Sequence, residues 1–548
     1  MKRQMKWYVC CLFLMAVLGG LFTTSCSDDD EETQNITPEE AERNAYFKYD
    51  AADVEVVEKT TFNVLDEIEK RIANSSDANS DEEKSMLAFY KKKYDDLQAF
   101  AEQTADSIVA TNPGNSKVAI TGQLLEMGRV TLNYTDKGAD GKYKRMSLLV
   151  VYPTRFFVNI DAKNIILGCH YTITSDHERP TNTGFQGMSD ACLLGAEWAT
   201  TSNYLVIMPD YEGYGASKDA THPYLNREVQ ARQTLKALIV GMNWFTGSHG
   251  EEFASRNVVV EGFSQGGAVA AATYRYWLEH SKEKWIETAS FHIAGAVCGD
   301  GPYDPLATLQ FYCKENWLSM PVAPALMLKG LCDTDEYAIK AGLKVDDFVS
   351  DAFYKSGIFD RIASKLYTTD GCSGALKDYN KDHPGTFTIN ADGSLPTDQV
   401  LNKETYQYFR NGTEPANNPE LLKKLKALRF CLEKNSLAYN FKPQDLKIKV
   451  NMGYTNMTLS LPCQFSFLHG KYDTVVPYDN LSSINNKWGE NKAKYIRGIN
   501  YYDHGDMGKA FFLVAHDEMV EEMLNGSWKP GTSTFETDIP RIINDLKD

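Results

Sequence analysis

Ser264 sits in Gly262-Phe263-Ser264-Gln265-Gly266-Gly267, a setting that makes its hydroxyl a candidate nucleophile. The β-branched run 257–261 before it reads as a buried strand, and 268–274 after it opens a small-residue helix. Strand, sharp turn and helix in that order present a serine hydroxyl at the top of a sheet. The flanking glycines fit a strand and helix that pass too close for a Cβ. A plain Gly/Ser turn is the alternative; the strand before and the helix after favour the nucleophile.

A serine hydroxyl attacks poorly alone. It needs a base within hydrogen-bond reach and a carboxylate to orient that base. With serine on such a turn, acid and then base follow in chain order. His469-Gly470-Lys471-Tyr472-Asp473-Thr474-Val475-Val476-Pro477 closes an apolar strand and offers Asp473 as the acid. Asp503-His504-Gly505, after the last strand, offers His504 as the base. Among rival acids, Asp333 and Asp335 fall in an insertion and Asp506 is too near His504. Among rival bases, His280 and His292 precede the insertion, His383 lies in its loop, His516 is inside a helix, and His469 reads as structural. The backbone N–H of Gln265 is one oxyanion donor by position. Tyr171 and Thr172, at the bend after the strand around 165–167, are candidates for the second, with Asp176 or a neighbour as the alternative.

The elements that must position these residues alternate. Residues 118–132 and 146–152 read as early antiparallel strands. Strands are expected at 164–170, 204–210, 257–261, 291–297, 461–468 and 494–501, with a helix over 223–244. Strand alternating with helix predicts an α/β fold: a mostly parallel sheet with helices on both faces. Residues 304–460 are too long for a connection and read as a mainly helical cap inserted after the sixth strand. Its aromatic residues (Phe311, Tyr312, Trp317, Phe348, Phe353, Tyr354, Phe359) either line an apolar pocket or form the cap's own core. The expected domains are a signal over 1–25, an acidic tether and helical hairpin over 26–116, core over 117–303, cap over 304–460 and core again over 461–548. The hairpin's first helix is read from Val54, Val57, Thr61, Leu65, Ile68 and Ile72.

The 548 residues carry a net charge of −17, which argues against a nucleic-acid partner. Lys2, Arg3 and Lys6, then an apolar stretch to Phe22, form a targeting segment. Eight cysteines follow Cys26. They show no metal spacing. Cys169, Cys298 and Cys463 read as buried thiols, while Cys313, Cys332, Cys372 and Cys431 fall in one region where pairing is possible.

Two resemblances rest on these residues. Leu21-Phe22-Thr23-Thr24-Ser25-Cys26 resembles the bacterial lipoprotein box, which implies cleavage before Cys26 and lipidation of its thiol. Ser27-Asp28-Asp29-Asp30-Glu31-Glu32 resembles a surface-export tag, with a solvated linker as the alternative. Together they imply an outer-membrane lipoprotein, at the cell surface or on the periplasmic face, touching the bilayer only through Cys26. The elbow at Ser264, Pro209-Asp210-Tyr211-Glu212-Gly213-Tyr214-Gly215, the Asp473 loop and His504-Gly505 resemble the α/β-hydrolases, more narrowly the secretory lipase (lipase A-type) and esterase group. That resemblance covers about 117–525 and implies ester hydrolysis through an acyl-enzyme, with no metal or organic cofactor. The substrate is then a small-molecule, lipid or carbohydrate ester. An exopeptidase with the same triad and a non-catalytic surface binding protein are the competing readings.

Overall fold

Among the described residues, a nine-stranded sheet carries the fold, in the order β1-β2-β3-β5-β4-β6-β7-β10-β11. Its strands are β1 (Glu55–Asn63), β2 (Glu126–Lys137), β3 (Tyr143–Pro153), β4 (Asn164–Cys169), β5 (Leu205–Pro209), β6 (Asn257–Phe263), β7 (His292–Gly299), β10 (Phe465–Gly470) and β11 (Ile496–Ile499). A separate hairpin pairs β8 (Lys447–Asn451) with β9 (Asn456–Ser460). The pairs β1/β2, β2/β3 and β3/β5 are antiparallel, and every later pair in the large sheet is parallel. Ile165, Ile166 and Leu167 on β4 and Val258, Val259 and Val260 on β6 are all fully buried. Such unbroken apolar runs are what strands covered on both faces require. This computed structural model describes residues 36–74, 81–154, 164–182, 190–249, 256–451, 456–460, 463–489, 496–499, 502–512 and 520–527. The targeting segment, Cys26, the acidic run and His516 lie outside the described residues.

The chain divides into two units. The first holds, among described residues, one helix, Pro38–Tyr46; the second runs from Phe47 to the end. Two stretches differ from the sequence expectation. Residues 55–63, expected to open a helix, form β1, which adds an edge to the sheet beside β2. The β-branched Val57, Thr60 and Thr61 are at home in either setting, and the pairing with β2 decides between them. The helix begins only at Val64–Asn74, where the Asn63 side chain accepts the Leu65 N–H at 2.9 Å. Residues 117–124, expected as strand, form a helix capped by Ser116, and β2 follows it. Its buried residues, Ile120 and Leu124, are four apart and so share one helical face. The long helix Asp81–Thr111 follows, and Leu97, Ala101 and Ala105 pack in one core with Val151, Ile166 and Val259 of the sheet.

The cap departs after β7 and is mainly helical, from Pro305–Glu315 to Pro419–Lys434, ending in the β8–β9 hairpin. It has its own core. Phe348 and Phe353 are fully buried there and Tyr312 nearly so. Phe311 and Phe359 pack against that core, while Trp317 and Tyr354 stand exposed, as do Tyr337 and Tyr367. Most of the cap's aromatic residues therefore hold the cap together. The Tyr312 hydroxyl donates to the Val475 carbonyl, and Ser319 Oγ lies 2.6 Å from Thr474 Oγ1, so the first part of the cap is fastened to the Asp473 loop. Cys313, Cys332, Cys372 and Cys431 are unpaired buried thiols, as are Cys169, Cys298 and Cys463.

Candidate active site

The turn between β6 and the helix Gln265–Glu279 is tighter than an ordinary loop. Ser264 holds φ 56° and ψ −125°, a left-handed conformation that L side chains seldom adopt. Its N–H donates to the Gly299 carbonyl at 2.8 Å, which ties the elbow to the end of β7. A Cβ on Gly266 would sit 2.0 Å from the Cys169 carbonyl oxygen, and one on Gly262 would sit 2.4 Å from the Gly266 oxygen. The end of β4 thus lies directly against the elbow, and only glycine permits that approach.

His504 opens the helix His504–Ala510, which Asp503 caps by accepting the Asp506 N–H at 2.9 Å. Asp503 thus serves as the cap of this helix. His504 Nε2 lies 3.0 Å from Ser264 Oγ, and His504 Nδ1 lies 2.6 Å from Asp473 Oδ2. Asp473 Oδ1 accepts the Val475 and Val476 N–H groups at 2.8 and 2.7 Å. Burial pushes the Asp473 carboxyl up, but the charge and hydrogen bond of His504 pull it down further, below the usual carboxylate range. The carboxylate therefore fixes the proton on Nδ1 and leaves the Nε2 lone pair facing the serine. The three residues read from the sequence, 240 positions apart at the extremes, come together at the ends of β6, β10 and β11.

The rivals are placed elsewhere. Asp335 caps the helix Glu336–Lys340, Asp333 pairs with Lys329 at 2.7 Å, and His280 pairs with Glu283 at 2.7 Å. His469 is fully buried and its Nε2 contacts the Val476 carbonyl at 2.7 Å, bracing the acid loop.

Gln265 heads its helix, where the first N–H groups have no intrahelical acceptor. Its side chain is locked: Nε2 lies 2.6 Å from His222 Nε2, and His222 Nδ1 lies 2.8 Å from the Glu212 carbonyl. A carbonyl accepts only, so His222 carries its proton on Nδ1 and receives the Gln265 amide on Nε2. Burial, then the Lys365 charge, push His222 down to about 3, which keeps it neutral. Tyr171 and Thr172 follow β4 beside the elbow, with Thr172 Oγ1 3.1 Å from the Tyr224 hydroxyl. Asp176 is excluded as a second donor, because its N–H already donates to the Lys365 carbonyl at 2.8 Å. In the Pro209–Gly215 run, Asp210 is fully buried and accepts the Thr181 N–H at 2.9 Å, and Glu212 takes Lys144 Nζ at 2.7 Å and Gln233 Nε2 at 2.8 Å. These acids brace loops beside the site.

Sequence reasoning passed over two participants. His222 and its grip on Gln265 have no local signature. Asp300, in Gly299-Asp300-Gly301 at the end of β7, was legible as an acid at the carboxyl end of a strand, between Ser264 and His504 in chain order. Its Oδ2 lies 3.8 Å from His504 Nδ1.

No protein-family model matches the chain, and no curated protein does. Solved structures do match. A ligand-bound form of the rice cell wall degrading esterase LipA from Xanthomonas oryzae aligns with a TM-score of 0.52 and 17% identity, over 77% of this chain and 96% of its own. A point mutant of that esterase aligns at 0.51 and 17%, over 73% and 92%. The fold is that of the α/β-hydrolases. Without the added β1, the β7 end at which the cap departs is the sixth strand of that sheet. Candida antarctica lipase A aligns at 0.47 and 14%, over 77% of this chain and 86% of its own.

Proposed function

We propose that the chain is a serine carboxylic-ester hydrolase. The observation that carries the reading is the continuous line Ser264 Oγ–His504 Nε2 and His504 Nδ1–Asp473 Oδ2, at 3.0 and 2.6 Å, on an elbow with φ 56°. Ser264 Oγ attacks the ester carbonyl while His504 Nε2 takes its proton. The oxyanion is met by the Gln265 N–H and a backbone N–H of the Tyr171–Thr172 bend, each worth roughly 3 to 4 kcal/mol in the transition state. His504 then protonates the leaving alkoxide, and water, activated by the same imidazole, releases the acid. Asp473 holds the tautomer throughout. The cell wall degrading esterase with the similar fold suits an extracytoplasmic ester as substrate, as does a chain lipidated at Cys26 and displayed at the cell surface. Hydrolysis of p-nitrophenyl esters from acetate to palmitate, wild type beside Ser264→Ala, tests the reading. Turnover in the wild type and none in the variant is expected; equal turnover in both, or none in either, refutes it.

A further inference from the structure

Behind the imidazole stand two carboxyls. Asp300 follows β7 in a left-handed conformation, φ 36°, and is fully buried. Its N–H donates to the Leu468 carbonyl at 2.9 Å, and its Oδ1 accepts the Gly470 N–H at 2.8 Å. This strained position aims Oδ2 at the site, where it has no hydrogen-bond partner among the described residues and lies 3.8 Å from His504 Nδ1. The other titratable groups facing it are Asp473, Asp503, Tyr303 and His469, whose Nδ1 is 3.8 Å from Asp300 Oδ1. His469 gives its Nε2 proton to the Val476 carbonyl, so its Nδ1 presents a lone pair and no donor.

A carboxylate oxygen of Asp300, one of Asp473 and a ring nitrogen of His504 lie within 4.8 Å of one another, and two buried carboxyls so close disfavour each other's charged form. Asp473 has three donors, His504 Nδ1 and the N–H groups of Val475 and Val476. Asp300 has one backbone donor, on Oδ1 alone. We propose that Asp300 is a positioning residue that holds the proton of an Asp300–Asp473 pair, donating it towards Asp473, so that the pair carries one negative charge behind His504. Burial, then the Asp473 charge, push the Asp300 carboxyl well above the usual range, in keeping with that assignment.

Two consequences separate this from a merely structural aspartate. When Asp300 ionises at alkaline pH, His504 stays neutral but gains a second negative charge 3.8 Å from Nδ1, and its ring resonances register this as a second, alkaline inflection. When Asp473 is removed, Asp300 loses its like-charged neighbour, ionises more readily and supplies the missing charge. The rate consequence rests on the Ser264–His504–Asp473 reading, but the protonation state does not.

The test is the NMR titration of the His504 ring in Ser264→Ala protein, with and without Asp300→Asn. If Asp300 is neutral at rest, the neutral amide leaves the main His504 midpoint within a few tenths of a pH unit and abolishes a second, alkaline inflection. A midpoint lowered by a full pH unit or more, or no alkaline inflection with Asp300 present, overturns the proposal. Turnover of Asp473→Asn beside Asp300→Asn/Asp473→Asn is the second measurement: the double variant is expected at least tenfold slower, and equal rates overturn the fallback role. Absence of Ser264-dependent turnover would sink the hydrolase reading and leave the titration to decide the carboxyl pair.

Discussion

Asp473→Asn is the sharpest perturbation of the proposed mechanism, because the backbone dictates which way the amide turns. In the native site Oδ1 accepts the Val475 and Val476 N–H groups, and Oδ2 accepts the His504 Nδ1 proton. An asparagine has one acceptor oxygen and one NH2 group. Two fixed N–H donors claim the oxygen, so the NH2 turns to His504. It can only donate there, which strips Nδ1 of its proton and moves that proton to Nε2, facing Ser264 Oγ. The base is then occupied in the ground state. A fall of about 10⁴-fold in kcat/KM is expected, equivalent to roughly 5 kcal/mol of barrier. The loss should lie in kcat, since substrate binding surfaces are untouched. The assay is p-nitrophenyl acetate hydrolysis between pH 7 and 9, with the melting temperature as a folding control. That window is chosen from linkage. Asp473 titrates lower folded than unfolded, so its stabilising contribution is present above about pH 4 and is lost only as pH falls through its folded midpoint. A kcat/KM within tenfold of wild type, or a loss confined to KM, would refute the tautomer argument.

Lys365 and Gly266 give two stability predictions. Lys365 is 6% exposed, its Nζ lies 4.4 Å from the centre of the Tyr214 ring, and it makes no ion pair among the described residues. Burial, then the Lys329 charge, push it down to about 8. Lys365→Met should stabilise the protein at pH 7 by up to about 3 kcal/mol; chemical unfolding should show the gain shrinking between about pH 8 and the free-lysine value near 10.4. Gain at pH 7 equal to that at pH 11 would contradict the assignment. Gly266→Ala drives a Cβ to 2.0 Å from the Cys169 carbonyl oxygen, with Cys169 held by β4–β6 pairing and Gly266 in the first turn of the helix Gln265–Glu279, so a loss of roughly 1–3 kcal/mol is expected in urea unfolding. Gly122→Ala, in the helix Lys117–Leu124 with nothing within 4 Å, should instead gain about 0.5–1 kcal/mol.

Much of the architecture was legible because its determinants are local. The apolar runs around 165, 206, 259 and 467 are buried whatever their partners, so strands were readable there, and turn chemistry marked the Ser264 elbow. Chain order then singled out Asp473 and His504. Elements at the sheet's margin were less legible. Residues 55–63 and 117–124 have weak patterns that suit more than one structure, and only pairing with β2 or a cap by Ser116 separates strand from helix.

By itself the sequence determined the alternation of strand and helix, the long interruption by a cap, and which serine, acid and histidine stand at strand ends. These follow from side-chain period, turn residues and order along the chain. Only the tertiary structure decided which atoms meet. It set His504 between Ser264 and Asp473, locked Gln265 against His222, committed the Asp176 N–H to Lys365, and brought Asp300 to 3.8 Å from the same imidazole. The physical reason is that hydrogen bonds and charge coupling act over a few ångströms in space, between residues that the chain separates by tens to hundreds of positions, and no local pattern encodes that distance.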